Sequence, residues 1–223
     1  MKTDEYWKLT ASEGVMTEED SQFWKSIEPL LRELFEELKR NGKIETVFTP
    51  LENRHLENIH LNRAAIIRNF NLLAVNTQTT ERAKSFFNGI AQFGFKDYNI
   101  VQLLIEFSAY SAVIDIEFFK TLILSRLRDV DFKVSNFKTT MQKSAPIIWK
   151  RLKPLLYSDF RNALAHGTWT IENWKIVLFK DAKLIPFEEL ELRDFLIKTR
   201  EQCVLCNCLL SVIQDLFEHD FFT

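Results

Sequence analysis

Residues 159–169 read DFRNALAHGTW, and within them a helical pattern gives way to a strand-forming one. Apolar side chains recur at helical spacing up to this stretch, and Pro154 fits the first turn of such a helix, where its missing N–H is not needed. Gly167 is placed to end the helix in the left-handed conformation. Residues 168–180, TWTIENWKIVLFK, are rich in β-branched and aromatic side chains and predict a small β-hairpin. A long helix over residues 187–217 is predicted to follow the hairpin.

The chain before this stretch also has helical periodicity. An amphipathic helix is predicted from Thr17 to about Gly42, with a kink or restart near Pro29. The segment from Asp97 to about Arg128 is apolar nearly all round, which is typical of a central helix covered by its neighbours. Further helical segments are predicted over residues 51–75 (one long helix or two short ones), 80–93 and 135–144.

Composition agrees with this pattern. The chain has 223 residues, of which 46% are hydrophobic and 27% charged, and only five are Gly and five Pro. So few turn-forming residues favour helices joined by short loops over an all-β fold. We therefore predict an all-α fold, a helical bundle with a small β-hairpin inserted before the last helix. Residues 1–95 are predicted to form an N-terminal helical region, either a subdomain or an extension, and residues 96–223 the domain that carries the quoted stretch.

Several classes of protein are disfavoured by the same numbers. The first residues have no apolar signal-peptide core, and the most apolar segment, residues 101–124, is interrupted by acids, so we expect no secretion signal and no membrane span. The three cysteines (Cys203, Cys206, Cys208) are odd in number and clustered, which is not a disulfide framework. A structural zinc site needs four ligands, and these thiols have no partner set, so we predict no metal and no cofactor. A cytoplasmic location follows as the default expectation.

A run of positive charge leads into the quoted stretch. The net charge is only −2, but residues 132–158 contain six basic side chains and no acid. Such a run suits a phosphate chain, and it is equally typical of a solvated helix face. The candidates for contact with such a phosphate backbone are Lys143, Lys150, Arg151 and Lys153.

Three polar residues of the quoted stretch have the chemistry for handling phosphate and protons. Asn162 and His166 are four residues apart and so share a helix face, and Arg161 lies about 100° round from Asn162. Histidine can give or take a proton near neutral pH, and a fixed guanidinium can bind phosphate in a bidentate manner. A structural alternative stays open, in which Arg161 pairs with a core acid and His166 interacts with the helix C-terminus.

The RNALAHG sequence resembles the R-N-x-x-x-H signature of the HEPN superfamily, all-helical domains found in many ribonucleases of toxin–antitoxin and phage-defence systems. The resemblance covers about residues 97–217. It implies metal-independent RNA cleavage by a homodimer, in which Arg161 and His166 of both chains line a composite cleft. It also implies a carboxylate near the motif on the long preceding helix, for which Glu117 is favoured over Asp115. The alternative is that both acids cap the helix or pair with Lys120 and Arg126 at its surface.

Two functions are compatible with these observations. The first is a metal-independent endoribonuclease with Arg161, Asn162 and His166 as catalytic residues, acting on RNA and restrained by a protein antitoxin or serving in phage defence. The second is a non-catalytic helical dimer that binds a nucleotide or a protein partner. The basic run favours the first function, and the moderate net charge favours the second.

Overall fold

The described part of the chain comprises residues 18–44, 97–128, 133–172, 175–180, 185–219 and 221 of a computed structural model. It contains six α-helices, two short 3₁₀ helices (Val134–Asn136 and Lys153–Leu156) and one three-stranded sheet. The helices are α1 (Glu18–Arg40), α2 (Asp97–Leu124), α3 (Phe137–Ser144), α4 (Pro146–Leu152), α5 (Ser158–His166) and α6 (Leu192–Glu218). The strands are β1 (Trp169–Glu172), β2 (Lys175–Lys180) and β3 (Ile185–Glu191). The helices predicted over residues 51–75 and 80–93 lie outside the described residues.

Helix α1 is the amphipathic helix predicted near the N-terminus. It runs unbroken across Pro29, so the helix does not restart there, and the kink that was the other alternative stays a prediction. Pro29 is exposed, and so is Lys25, the residue whose carbonyl loses its helical N–H partner to the proline. Gly42 follows the helix with φ 63°, the left-handed conformation expected of a stop.

The main hydrophobic core joins α1, α2 and α6. It is built from large buried side chains, among them Trp24, Phe35, Phe119, Phe137 and Leu209. Helix α1, from the predicted N-terminal region, therefore shares a core with the last helix; the predicted division near residue 95 falls outside the described residues and stays a prediction. No helix in the described ranges is long and apolar enough to cross a membrane.

The segment between α5 and α6 is a three-stranded antiparallel sheet in the order β1-β2-β3. Strands β1 and β2 form the predicted hairpin, with Trp169 opposite Leu178. The prediction of helix from residue 187 was wrong, since residues 187–191 belong to β3 and α6 begins at Leu192. Pairing with β2 overrides the helix-forming Glu and Leu residues here, because it buries Leu190 and brings Lys175 within 3.4 Å of Glu191.

Residues 159–166 of the quoted stretch lie in α5, on a second and smaller core. The predicted single helix from Pro154 is wrong: residues Lys153–Leu156 form a 3₁₀ helix, Tyr157 is left-handed (φ 40°), and α5 starts at Ser158. The second core contains several small residues, which let α5 approach α2 and the sheet closely. Its buried members are Ala109, Ala112, Phe160, Ala163, Leu164, Ile176, Leu178, Leu190 and Phe195.

Candidate functional site

The start of α5 is fixed by Tyr157. This residue is left-handed, a conformation that costs a non-glycine residue on the order of 1 kcal/mol and is kept only where the surroundings demand it. Its carbonyl accepts a hydrogen bond from the Arg161 backbone N–H at 2.8 Å, and its hydroxyl donates to Glu201 of α6 at 2.6 Å. Burial, and then the bond to Glu201, raise the pKa of the Tyr157 hydroxyl, so it stays a donor. The start of α5 is therefore fixed in position by the contact between Tyr157 and α6.

The end of α5 is fixed by Gly167 and Thr168. Gly167 has φ 64°, and the Thr168 N–H donates to the Ala163 carbonyl at 2.9 Å, which closes the helix. The Thr168 hydroxyl donates to the Phe179 carbonyl at 3.1 Å, and the Phe179 N–H donates back to the Thr168 carbonyl at 2.9 Å. This reciprocal pair attaches the residue after the motif to β2 and so sets His166 beside the sheet.

Arg161 is held against α2 by Glu117. One nitrogen of the guanidinium (Nη2) donates to Glu117 Oε1, and the other (Nη1) lies 3.3 Å from Asn162 Oδ1. The Arg161 side chain is 16% exposed and that of Glu117 46%. The second candidate acid, Asp115, is buried (1% exposed) two residues earlier on α2 and does not line either of the hollows described below. Glu117 of the same chain thus orients the Arg161 guanidinium. The guanidinium also lines the cleft described next, where a bound anion can reach it.

An open cleft of about 990 Å³ lies in front of Arg161. Five of its lining side chains are basic and two are acidic, so it attracts anions. Its floor includes the buried rings of Phe137 and Trp149, which pack edge to face 5.8 Å apart. The basic residues are Lys120, Lys138, Lys150, Lys153 and Arg161, and the acidic ones are Glu117 and Asp159.

His166 lies in an adjoining hollow of about 520 Å³, which shares Asp159 and Asn162 with the cleft. The His166 side chain is exposed, and Asn162 lines the same hollow, as expected of two residues on one helix face. Two aromatic side chains, Phe179 and Phe187, complete the far wall together with Thr168 and Lys180. An imidazole at the surface of such a hollow can exchange protons with a bound ligand.

Two of the four predicted backbone-contact residues line the cleft. Lys150 and Lys153 face it, whereas Lys143 is exposed on α3 outside its lining. Arg151 is exposed and forms an ion pair with Glu33 of α1, also outside the lining. Because successive residues of a helix point about 100° apart, a run of charges in sequence divides between several faces.

Lys120 and Lys138 are cleft residues that the sequence interpretation did not select. Lys120 follows Glu117 by three positions and so lies one helical turn on along the same face, which is the signal that was available. Burial, and then the nearby Arg161 cation, lower the pKa of Lys120, while Glu117 raises it, and the net result is a pKa of about 8. Two cations are therefore held close together in the cleft.

The cysteines lie apart from this site. Cys206 and Cys208 are buried in α6 within the main core, and burial raises the pKa of the Cys208 thiol, so it is held as an uncharged core group. In the described part of the chain, no three His, Cys, Asp or Glu residues are grouped as metal ligands would be.

Comparisons of the chain with family models, with curated proteins and with solved structures gave no match. The resemblance to HEPN domains therefore rests on the RNALAHG sequence and on the arrangement of elements around it.

Proposed function

We propose that the protein is a metal-independent endoribonuclease of the HEPN kind. The observation that carries the proposal is the cationic cleft around Arg161, which opens directly beside an exposed His166. RNA carries one negative charge per nucleotide, and a cleft with five basic side chains and two acids suits its backbone. The resemblance of RNALAHG to the superfamily signature supplies the reaction type.

The reaction would use the 2′-hydroxyl of RNA as nucleophile. Its oxygen attacks the adjacent phosphorus while the bond from phosphorus to the 5′ oxygen breaks, leaving a 2′,3′-cyclic phosphate and a 5′-hydroxyl. A base takes the 2′-hydroxyl proton and an acid gives a proton to the leaving oxygen, and histidine suits either role. Arg161, oriented by Glu117, would bind the phosphate and stabilise the charge that develops on it. Asn162 would orient the His166 imidazole or contact the phosphate.

We further propose that the active form is a homodimer. One imidazole cannot readily serve as both acid and base in a single step, so a composite site with His166 from each chain would supply both groups. His166 is exposed and hence open to a facing surface. Sedimentation equilibrium at concentrations that support cleavage is expected to show a dimer; a fully active monomer would contradict the composite site.

The test of the proposed activity is RNA cleavage in the presence of EDTA. The wild type is expected to cleave, and His166→Ala to lose on the order of 10³-fold in rate because a proton-transfer group contributes about 10²–10⁴-fold. His219→Ala is the matched control, since His219 is exposed and lies at the end of α6, away from both hollows. Cleavage that EDTA abolishes, or that His166→Ala retains, would refute the mechanism.

The cellular setting that we propose is a cytoplasmic toxin–antitoxin or phage-defence system with a protein antitoxin as a partner. This follows from the resemblance. If no RNA is cleaved although the dimer is intact, the alternative of a non-catalytic module that binds a nucleotide or a protein replaces the nuclease.

A further inference from the structure

Lys120 lies in the same cleft as the Arg161 cation, where a second positive charge is unfavourable unless an anion is bound. It is half-buried on α2, one turn after Glu117, and lines the cleft with Arg161. Burial and the neighbouring Arg161 both disfavour its charged form, and its pKa is lowered to about 8. A group with this pKa is still mostly protonated at neutral pH.

One carboxylate serves both cations. Glu117 forms the ion pair with Arg161 and also favours the charge on Lys120, so two positive charges share one negative charge at this wall of the cleft. The other charged groups that line the cleft are Asp159, Lys138, Lys150 and Lys153, which leaves the whole cavity three positive charges in excess. Partly desolvated cations that outnumber the carboxylates around them are stabilised when an anion binds beside them.

We propose that Lys120 and Arg161 together bind one phosphate group of an RNA chain, with the lysines of the cleft rim contacting the neighbouring phosphates. The proposal rests on the proposed ribonuclease function for the identity of the chain. The cavity of about 990 Å³ lies at the upper end of the range for pockets that hold drug-sized ligands, so it has room for a nucleotide. Lys120 is a binding residue in this scheme and has no assigned part in proton transfer.

Binding of this kind must depend on pH in a defined direction. An anion binds the protonated form of Lys120 better, and therefore raises the lysine pKa in the complex. The affinity for the phosphate group is highest below the pKa of Lys120 in the free protein, about 8, and falls as the pH rises above that value. An arginine at position 120 stays charged over this range and would remove that dependence.

The experiment measures fluorescence anisotropy of a labelled single-stranded DNA octamer, which lacks the 2′-hydroxyl and cannot be cleaved by the proposed reaction. At pH 7, Lys120→Met is expected to weaken binding about 5- to 10-fold, as for loss of one ordinary hydrogen bond, because the cleft is open to solvent. Lys25→Met, which removes an exposed lysine of α1 outside the cleft, is expected to stay within about twofold of wild type. Between pH 7 and 9.5 the wild type is expected to lose about the same 5- to 10-fold, and Lys120→Arg at most about twofold.

Three outcomes overturn the proposal. If folded Lys120→Met binds the octamer as tightly as wild type at pH 7, Lys120 is not part of the site. The same conclusion follows if Lys120→Arg shows the same pH dependence of binding as wild type. Displacement of the octamer by AMP or inorganic phosphate at concentrations comparable to the octamer's phosphates assigns the site to a free phosphate ligand instead of an RNA chain. DNA binding does not require cleavage. If the protein binds the octamer through Lys120 but cleaves no RNA, the phosphate site stands and only the proposed nuclease activity is refuted.

Discussion

The two ends of α5 differ in how their functional side chains are held. Arg161, near the start, is 16% exposed and fixed by Glu117 in a cleft lined with lysines. His166, the last residue of the helix, is exposed in a smaller hollow, where its position is set by the Gly167–Thr168 stop. The phosphate-binding half of the proposed site is thus formed within one chain, whereas the proton-transfer half is open to a second surface.

The two halves of the proposed site are therefore expected to respond differently to substitution. A charged group that is held in a fixed orientation in a cleft stabilises the transition state more than a mobile one does. An exposed imidazole can be removed without a large effect on folding. Stability and activity measured together on matched variants therefore distinguish the two ends of the helix.

After His166→Ala, for which a loss of about 10³-fold is expected, the largest effect is expected at Arg161. Arg161→Met should lower cleavage about 10²–10³-fold, the range seen when one charge-stabilising donor is removed. Its effect on the free energy of unfolding should be only about 1 kcal/mol, because Glu117 is 46% exposed and stays solvated when its partner is lost.

The control for Arg161 is Arg193→Met. Arg193 is 79% exposed and lies 3.6 Å from Glu19, outside the cleft. It should leave cleavage within about twofold of wild type and change stability by a few tenths of a kcal/mol. Equal losses of activity in the two variants would mean that the cleft arginine has no special role. Activity is read as initial rates and stability as urea unfolding.

A smaller effect is expected when the arginine keeps its charge but loses its orienting carboxylate. Glu117→Gln should lower cleavage about 10-fold and stability by about 1 kcal/mol, since the neutral amide holds the guanidinium less firmly. Glu33→Gln removes a carboxylate of nearly the same exposure, 49%, from an arginine partner, Arg151, that is itself more exposed than Arg161 (55% against 16%). That control should cost at most the same stability, because its ion pair is more exposed, and should keep cleavage within about twofold of wild type. Loss of activity in both variants would contradict an orienting role for Glu117.

Sequence patterns predicted the elements that local signals govern. The left-handed stop at Gly167, the hairpin after it and the long apolar helix α2 follow from backbone freedom, β-propensity and periodicity. The break at Tyr157 could not be predicted in this way. No glycine marks it, and its left-handed conformation depends on contacts with α6, 44 residues on in sequence, through Glu201.

The site was predictable in part for the same reason. Residues within one helix, such as Asn162 and His166, are related by simple spacing, and both line one hollow. Lys120 and Lys138 reach the cleft from different helices, and only tertiary packing brings them beside Arg161. Strand β3 was missed because its glutamates favour a helix until β2 offers Lys175 and a buried place for Leu190.

The smallest effect distinguishes the histidine end of α5 from an equivalent helix end elsewhere. Gly167 and Gly42 are both left-handed, with φ 64° and 63°, and a Cβ added at either would meet no atom within 4 Å. Alanine at either position should therefore cost about 1 kcal/mol from backbone strain alone. Only Gly167→Ala should also lower cleavage, by about 3- to 10-fold, because relaxing that strain shifts the His166 imidazole from its place beside β2. Asparagine at 167, which tolerates the left-handed conformation, should restore most of both losses. If Gly42→Ala lowered cleavage as much as Gly167→Ala, the effect would be one of general stability, and the position of His166 would not depend on the helix stop.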